Sequence, residues 1–234
     1  MGVSYARQKR PGVKVMAYVL KKALDLWSRT RLMNEHQLDL SEYAKFSGRY
    51  FSNLTPVVID IITPIIDNEL GKDTWEITSG NFFTTNVPYR IHTDTGIPDP
   101  RPYKTFVIPL KVFATPTYDS AKNALYILNQ KWDGAASFFV KGTQGVTEEF
   151  NKIVDDYTNV IGIEQGFDET LVNECNHLDR SNFEGMSVES RFEWTPGDII
   201  VFDRKHLHVS TNFLKAGAQS KIGLSIFTSY LERP

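Results

Sequence analysis

The chain has 234 residues, of which 41% are hydrophobic and 23% charged, and this length and composition fit one large domain with a well-filled core. Its 26 basic and 28 acidic residues give a formal net charge of -2, so no overall field attracts nucleic acid or an anionic membrane. The one cysteine, Cys175, excludes an internal disulfide, and the first residues lack the apolar core of a signal peptide. We therefore expect a soluble, cytoplasmic protein without nucleic-acid or membrane partners.

The first third of the chain is predicted to be helical. Residues 1–12 are interpreted as a mobile basic leader. From Val13 to Trp27, apolar residues recur with the spacing of a helix that has one buried face. A second helix is predicted at Val57–Leu70, kinked or restarted at Pro64. We interpret residues 13–70 as helical support for the rest of the domain.

Strand composition dominates after Gly71. Segments rich in β-branched and aromatic residues, separated by Gly and Pro turn signals, predict a β-core at 74–142 and 187–231. The predicted strands lie in TWEITSGNFFTTNVPYRIHTD, KTFVIPLKVFA, ALYILNQKW, AASFFVKG, SRFEWTPGDIIVFD and SKIGLSIFTSYL. The polar insert between the two parts, 143–186, could close over a substrate or pack on the outside of a sheet. We expect a single domain over 13–234, mainly β with flanking helices, in which two sheets face each other around a pocket.

Candidate metal ligands lie in YRIHTD and DRKHLHVS. On a predicted strand, His92 and Asp94 point to the same face with Cα atoms about 7 Å apart, which suits two ligands of one ion. His206 and His208 also share a face, and either could supply the third ligand. Two histidines and one carboxylate are the ligand set of the facial triad that holds non-haem Fe(II) with open positions. The same side chains could hold Zn(II), so the ligand types do not identify the metal.

A lysine begins the alternation of the last predicted strand. One face carries Lys221, Gly223, Ser225 and Phe227, and the other carries Ile222, Leu224 and Ile226. If the lysine face lines the pocket, the buried ammonium requires an anion, such as the far carboxylate of a dicarboxylate that chelates the metal. The alternative is that Lys221 stands at the start of the strand and reaches water.

Together these motifs resemble the Fe(II)/2-oxoglutarate-dependent dioxygenases, over residues 80–230 and in the order of the family. YRIHTD and LNQKWDGAASFF are similar to segments of the prolyl-hydroxylase-like branch, and PGDIIVFDRKHLHVS is similar to the phytanoyl-CoA dioxygenase-like branch. In the second branch the ligand histidine follows Phe-Asp by five residues, which favours His208 over His206. Lys221 matches the lysine of prolyl hydroxylases, whereas phytanoyl-CoA dioxygenase-like members generally use arginine. Arg-x-Ser is absent, since Gly223 stands two residues after Lys221, and Ala135 replaces the second glycine of a Gly-Gly motif.

The resemblance implies a double-stranded β-helix, a jelly-roll or cupin-like barrel with a catalytic iron centre. It implies that His92, Asp94 and His208 bind Fe(II) and that Lys221 binds 2-oxoglutarate. Further residues that it implies for cosubstrate binding are Tyr89, Asn129 and Ser137. The implied reaction uses O2 to hydroxylate a small molecule or a peptide side chain, while 2-oxoglutarate is decarboxylated to succinate. Two alternatives stay open, namely a metal-binding cupin-like isomerase or non-oxidative binding module, and an inactive interaction protein that keeps the barrel.

Overall fold

Two antiparallel sheets form the centre of the protein. The computed structural model describes residues 17–43, 54–95, 101–134, 140 and 157–231. In chain order the strands are β1 (Tyr18–Leu20), β2 (Trp75–Thr85), β3 (Pro102–Ala114), β4 (Ala124–Trp132), β5 (Val160–Ile161), β6 (Val188–Glu193), β7 (Ile199–Asp203), β8 (His206–Ser210) and β9 (Ala218–Tyr230). The first sheet has the order β1-β7-β3-β9-β2, and the second has the order β5-β4-β6 with β8 also paired to β4. The mainly β architecture expected from the sequence is confirmed.

The first two helices cover the outer face of the first sheet. The helices are α1 (Leu26–Tyr43), α2 (Pro56–Leu70) and α3 (Glu169–Glu174), with short 3₁₀ helices at Ser120–Lys122, Tyr157–Asn159 and Arg180–Phe183. The Thr55 side chain caps α2 by accepting a hydrogen bond from the backbone N–H of Val58, as expected for an N-cap residue. One face of α2, at i+4 spacing, is buried against Phe106 and Ile108 of β3 and the even-numbered face of β9. The helix continues through Pro64 rather than restarting there.

The helix predicted from Val13 to Trp27 is wrong where the structure describes it. Tyr18–Leu20 forms β1, which pairs antiparallel with β7, and the first helix begins only at Leu26. Lys22 adopts a positive φ of 52°, and its backbone N–H donates to Asp198. Tertiary pairing with the sheet therefore overrides the helical spacing, and Trp27, which the helical prediction buries, is 63% exposed.

The space between the sheets is lined by a separate apolar cluster. Its buried members are Ala17, Val107, Leu125, Ile127, Trp194, Ile200 and Phe202, which come from both sheets. On β9, Ile222, Leu224 and Ile226 face the helices. Because side chains alternate along a strand, the face of β9 that carries Lys221 and Gly223 points into the interior.

The described part of the predicted insert packs on the outside of the second sheet. Leu171, Cys175, Leu178 and Phe183 lie in one apolar cluster with Tyr126 and Leu128 of β4 and with Val209 of β8. This packing corresponds to the second of the two alternatives for the insert. Residues 143–156 lie outside the described residues, as do the leader at 1–12 and most of the strand predicted in AASFFVKG. The division of the chain into support, core and insert stays a prediction.

None of the helices in the described ranges is long and apolar enough to cross a membrane. The cytoplasmic location stays a prediction.

Candidate metal centre

A backbone pairing brings two of the predicted ligands together. His92 forms an isolated antiparallel bridge with His208 of β8, in which each backbone N–H donates to the other residue's carbonyl, at 3.1 and 3.0 Å. The two imidazole rings lie 4.0 Å apart between centroids. The continuous strand predicted through His92 and Asp94 is wrong, because β2 ends at Thr85 and the chain then leaves its β9 partner to pair with β8 in the other sheet.

Asp94 completes a cluster of three potential metal ligands. Its Oδ1 lies 3.8 Å from His92 Nε2, and its Oδ2 lies 3.6 Å from His208 Nε2. One ligand atom from each of the three residues lies within 4.8 Å of the others. An ion bonded at about 2.1 Å to two atoms can bridge at most about 4.2 Å between them, so both carboxylate gaps fit a single ion. We call His92, Asp94 and His208 the metal-ligand cluster.

The residues around the metal-ligand cluster hold Asp94 in place. The Thr105 hydroxyl of β3 donates to Asp94 Oδ2 at 2.9 Å. The backbone N–H of Asp94 donates to the Arg204 carbonyl at 3.2 Å, and Arg204 Nε donates back to the Asp94 carbonyl at 3.1 Å. The turn between β7 and β8 and the interior face of β3 therefore fix both the backbone and the carboxylate of this residue.

The histidine rings are oriented with Nε2 toward the carboxylate. His92 Nδ1 lies 2.9 Å from the Arg90 carbonyl, and His208 Nδ1 lies 3.2 Å from the His206 carbonyl. Because a carbonyl only accepts hydrogen bonds, each Nδ1 carries the proton and each Nε2 presents its lone pair. Burial is the main cause that holds the pKa of His92 well below its ordinary value, and the neighbouring His208 is the second cause. A neutral imidazole with a free Nε2 is the form that binds metals.

Lys221 is buried among aromatic rings. It is the fourth residue of β9 and only 2% exposed, so the alternative in which it starts the strand and reaches water is wrong. Its Nζ lies 4.3 Å from the Trp194 ring centroid and 4.6 Å from that of Phe213, and it donates a long hydrogen bond of 3.4 Å to Asn123 Oδ1. We call these four residues the Lys221 pocket.

No carboxylate among the described residues balances the charge of Lys221. Within the described part of the chain, no carboxylate lies within ion-pair distance of Nζ, whose one hydrogen bond goes to the neutral Asn123. Burial lowers the pKa of Lys221 to about 7. A buried ammonium without a counter-ion is costly, so this pocket is suited to an anion that enters from outside the chain.

The Lys221 pocket and the metal-ligand cluster both face the space between the two sheets. Trp194 of the pocket and Phe202 of β7 belong to one buried apolar cluster, and the Phe202 ring lies 4.7 Å from that of His208. On β3, Thr105, which binds Asp94, pairs with Phe227 of β9, on the same face as Lys221. Both sites therefore lie on the interior side of the first sheet.

The other residues predicted for cosubstrate binding have different positions. Tyr89 packs its ring edge-on against His92, at 4.6 Å between centroids. Asn129 is exposed, and its side-chain amide donates to Ser187 rather than to the metal-ligand cluster. Ser137 lies outside the described residues. The cosubstrate role of these residues stays a prediction.

His206 does not join the metal-ligand cluster. Its side chain is buried, and Nδ1 lies 2.7 Å from Glu189 Oε2. The pKa of His206 is lowered to about 4, mainly by burial and secondly by the positive charge of Lys131. His206 is therefore not a solvated residue.

Sequence reasoning missed the residues that support the two sites. Thr105 is a polar residue within the apolar run TFVIPL, and this could have marked it as facing a polar partner. Asn123 precedes the predicted strand ALYILNQKW, Trp194 lies within the segment SRFEWTPGDIIVFD, and neither gives a signal of its own. Their neighbourhood arises from a backbone hydrogen bond of 2.8 Å between Trp194 N and Asn123 O, across 71 positions of sequence.

No protein-family model matches the chain, and no curated protein sequence does either. Solved structures do match. The non-haem α-ketoglutarate-dependent carbocyclase SnoK from nogalamycin biosynthesis is similar with a TM-score of 0.51 at 12% identity, covering 93% of this chain and 82% of that one. The viral collagen prolyl hydroxylase of Paramecium bursaria Chlorella virus-1 has a TM-score of 0.48 at 12% identity, covering 99% and 100%. HygX from Streptomyces hygroscopicus, solved with nickel and 2-oxoglutarate, has a TM-score of 0.45 at 11% identity, covering 91% and 81%.

At these identities the comparison with SnoK establishes the fold alone. The chain is a double-stranded β-helix of the jelly-roll type, as the sequence resemblance implied.

Proposed function

We propose that this protein is a non-haem Fe(II)/2-oxoglutarate-dependent oxygenase. The observation that carries the proposal is the metal-ligand cluster, in which two oriented imidazoles and one carboxylate converge inside the barrel. That ligand set suits Fe(II) and leaves coordination positions open. The buried ammonium of Lys221, which has no carboxylate partner within the described residues, favours 2-oxoglutarate as the second ligand of the same interior.

The chain's own residues would supply binding and orientation. Bound Fe(II) with 2-oxoglutarate would provide the activation of O2 that hydroxylation requires. The metal-ligand cluster would hold the ion, and Thr105 would keep the Asp94 carboxylate turned toward it. Lys221 would pair with the far carboxylate of the cosubstrate and so fix its direction. The apolar lining from both sheets would exclude water from the space between them.

The proposed reaction is hydroxylation of a small molecule or a peptide side chain, with release of succinate from 2-oxoglutarate. Arg90, which precedes the cluster, is buried and donates to the Val140 carbonyl. It therefore differs from the solvated arginine common at strand edges. Substrate contacts are expected from loops rather than from the metal-ligand cluster.

Succinate release tests the proposal directly. Purified protein with Fe(II), ascorbate and 2-oxoglutarate should release succinate slowly even without a substrate, and Asp94→Ala should not. Binding of 2-oxoglutarate to Zn(II)-loaded protein should be detectable by calorimetry without turnover. If both succinate release and 2-oxoglutarate binding are absent while metal still binds, the oxygenase proposal is wrong and the cupin-like alternative is favoured.

A further inference from the structure

A buried hydrogen-bond donor lies in the wall of the Lys221 pocket. Trp194 is 4% exposed, and its indole Nε1–H has no hydrogen-bond acceptor among the described residues. Buried indole N–H groups usually find a partner, because leaving the group unsatisfied costs free energy. Burial alone does not indicate a ligand, however, since Trp75 on the helix-covered side of the first sheet has the same unsatisfied Nε1–H.

The position of Trp194 distinguishes it from Trp75. Its backbone N–H donates to the Asn123 carbonyl at 2.8 Å, which places it beside the residue that accepts from Lys221. The Lys221 Nζ lies 4.3 Å from the centre of its ring. The pocket therefore contains a buried ammonium and a buried indole N–H side by side, and neither donor has an anionic acceptor among the described residues.

The Cζ2 side of the Trp194 ring lies against the interior strand face of β9. A Cβ atom at Gly223 would lie 3.0 Å from Trp194 Cζ2 and 2.5 Å from Phe83 Cζ. Cζ2 is bonded to the ring carbon that carries Nε1, so this edge points toward the strand position two residues after Lys221. Glycine at that position leaves room for the ring and brings no side-chain donor of its own.

We propose that the Trp194 indole N–H donates a hydrogen bond to the carboxylate that pairs with Lys221, the carboxylate of 2-oxoglutarate farthest from the metal. This inference rests on the proposed function. A carboxylate has enough lone pairs to accept from both groups. The indole N–H is a donor only, so it satisfies a carboxylate and rejects a ligand that presents another donor there.

A purely structural role for Trp194 gives a different expectation. If the ring serves only as an apolar wall and as a π-face for the Lys221 ammonium, phenylalanine supplies both. Replacing Trp194 by Phe removes the N–H and keeps an aromatic ring, so it separates the two roles. Trp75→Phe makes the same chemical change outside the interior and is the matched control.

Calorimetry on Zn(II)-loaded protein is the first test, because zinc keeps the ligands in place without turnover. We expect Trp194→Phe to weaken 2-oxoglutarate binding about tenfold or more, as for a hydrogen bond to a charged group, with zinc affinity unchanged. Trp75→Phe should bind as the wild type does. Binding by Trp194→Phe within about twofold of the wild type would overturn the inference.

The indole N–H can also be observed without any substitution. The chain has four tryptophans, and in a ¹H–¹⁵N spectrum the Trp194 indole signal can be assigned through its contact with the Phe83 ring. On addition of 2-oxoglutarate to the Zn(II)-loaded wild type, this signal should move downfield and the Trp75 signal should stay. A stationary Trp194 signal under saturating 2-oxoglutarate overturns the inference alone, whereas a wild type that binds no 2-oxoglutarate overturns the proposed function as well.

Discussion

The two ends of the barrel interior are held in place by different forces. In the metal-ligand cluster each side chain is oriented by a hydrogen bond, from the Thr105 hydroxyl to Asp94 or from a histidine Nδ1 to a backbone carbonyl. In the Lys221 pocket the ammonium is held by packing between two aromatic rings and by one long hydrogen bond. The first site is preorganised for a ligand, and the second carries a charge that no carboxylate among the described residues balances.

This difference predicts how each site responds to change. Loss of one metal ligand removes a coordinating atom whose place no neighbour can take, so the effect should be all or nothing. Loss of the lysine removes one partner of a charge pair and leaves the metal end intact, so the effect should fall on cosubstrate affinity. The predictions below separate the two ends, beginning with the largest expected effect.

Asp94→Ala should abolish metal binding and succinate production. The residue has one carboxylate for charge and coordination, and its backbone contacts to Arg204 do not depend on the side chain. Metal titration and succinate release measure the effect, and the far-UV spectrum should be unchanged. The exposed Asp179→Ala is the control and should behave as the wild type. Normal succinate release by Asp94→Ala would remove this residue from the site.

His208→Ala and His206→Ala should differ although the two residues lie on the same strand face. His208 Nε2 points toward Asp94, while His206 contacts Glu189. We expect His208→Ala to lose Fe(II) and all succinate production, and His206→Ala to keep Fe(II) and measurable turnover. Iron titration of both variants checks this, and the reverse pattern would show that the third ligand is misassigned.

Lys221→Ala should raise the KM for 2-oxoglutarate and leave metal affinity almost unchanged. Removing one partner of a buried charge pair costs about 2 to 5 kcal/mol, which corresponds to roughly 30-fold to 4,000-fold in affinity. The control is Lys215→Ala, because Lys215 is exposed in the turn before β9. A large KM effect in Lys215→Ala instead would identify a different anchor.

Local pattern predicted much of the fold, and it failed where partners are distant in sequence. The alternation of Lys221 against Ile222 described both faces of β9 because period-two burial is encoded in adjacent residues. The spacing around Leu20 indicated a helix, but pairing with β7 decided the outcome. His92 and Asp94 were identified by residue type and order, whereas the bridge between His92 and His208 depends on a crossing between sheets that no local pattern encodes.

Thr105→Val should weaken metal binding by about 10-fold to 100-fold, the usual effect of losing a residue that orients a metal ligand. Valine keeps the shape of the side chain and removes the hydroxyl that donates to Asp94 Oδ2. Thr105→Ser retains the hydroxyl and should restore the affinity. Equal metal affinity in the wild type, Thr105→Val and Thr105→Ser would show that Thr105 does not position the carboxylate.

The smallest expected effect is a pH dependence of 2-oxoglutarate binding that comes from Lys221. Burial lowers the pKa of the ligand-free lysine to about 7, and only the ammonium form pairs with a carboxylate. Below that pH the lysine is already protonated and affinity is at its maximum. Above it, binding must first take up a proton, so Kd should rise about tenfold per pH unit until the pH reaches the higher pKa of the complex.

Lys221→Arg separates this titration from other causes, because a guanidinium keeps its charge over the whole range. Calorimetry at pH 6.5, 7.5 and 8.5 on Zn(II)-loaded protein should show the slope in the wild type and not in Lys221→Arg, even if arginine binds more weakly. Buffers of different ionisation enthalpy should show uptake of close to one proton at the highest pH.

The lowered pKa of Lys221 also affects the stability of the ligand-free protein. Between about pH 7 and the ordinary lysine pKa of 10.5, the unfolded chain binds a proton that the folded chain does not. The contribution of Lys221 to the free energy of unfolding should therefore increase with pH across that window, and decrease as the pH falls toward 7.

The binding experiment also has an outcome that contradicts the prediction. If the 2-oxoglutarate affinity of the wild type changes with pH as little as that of Lys221→Arg, the lysine is already fully charged in the free protein. A group within the protein then balances its charge before any ligand enters.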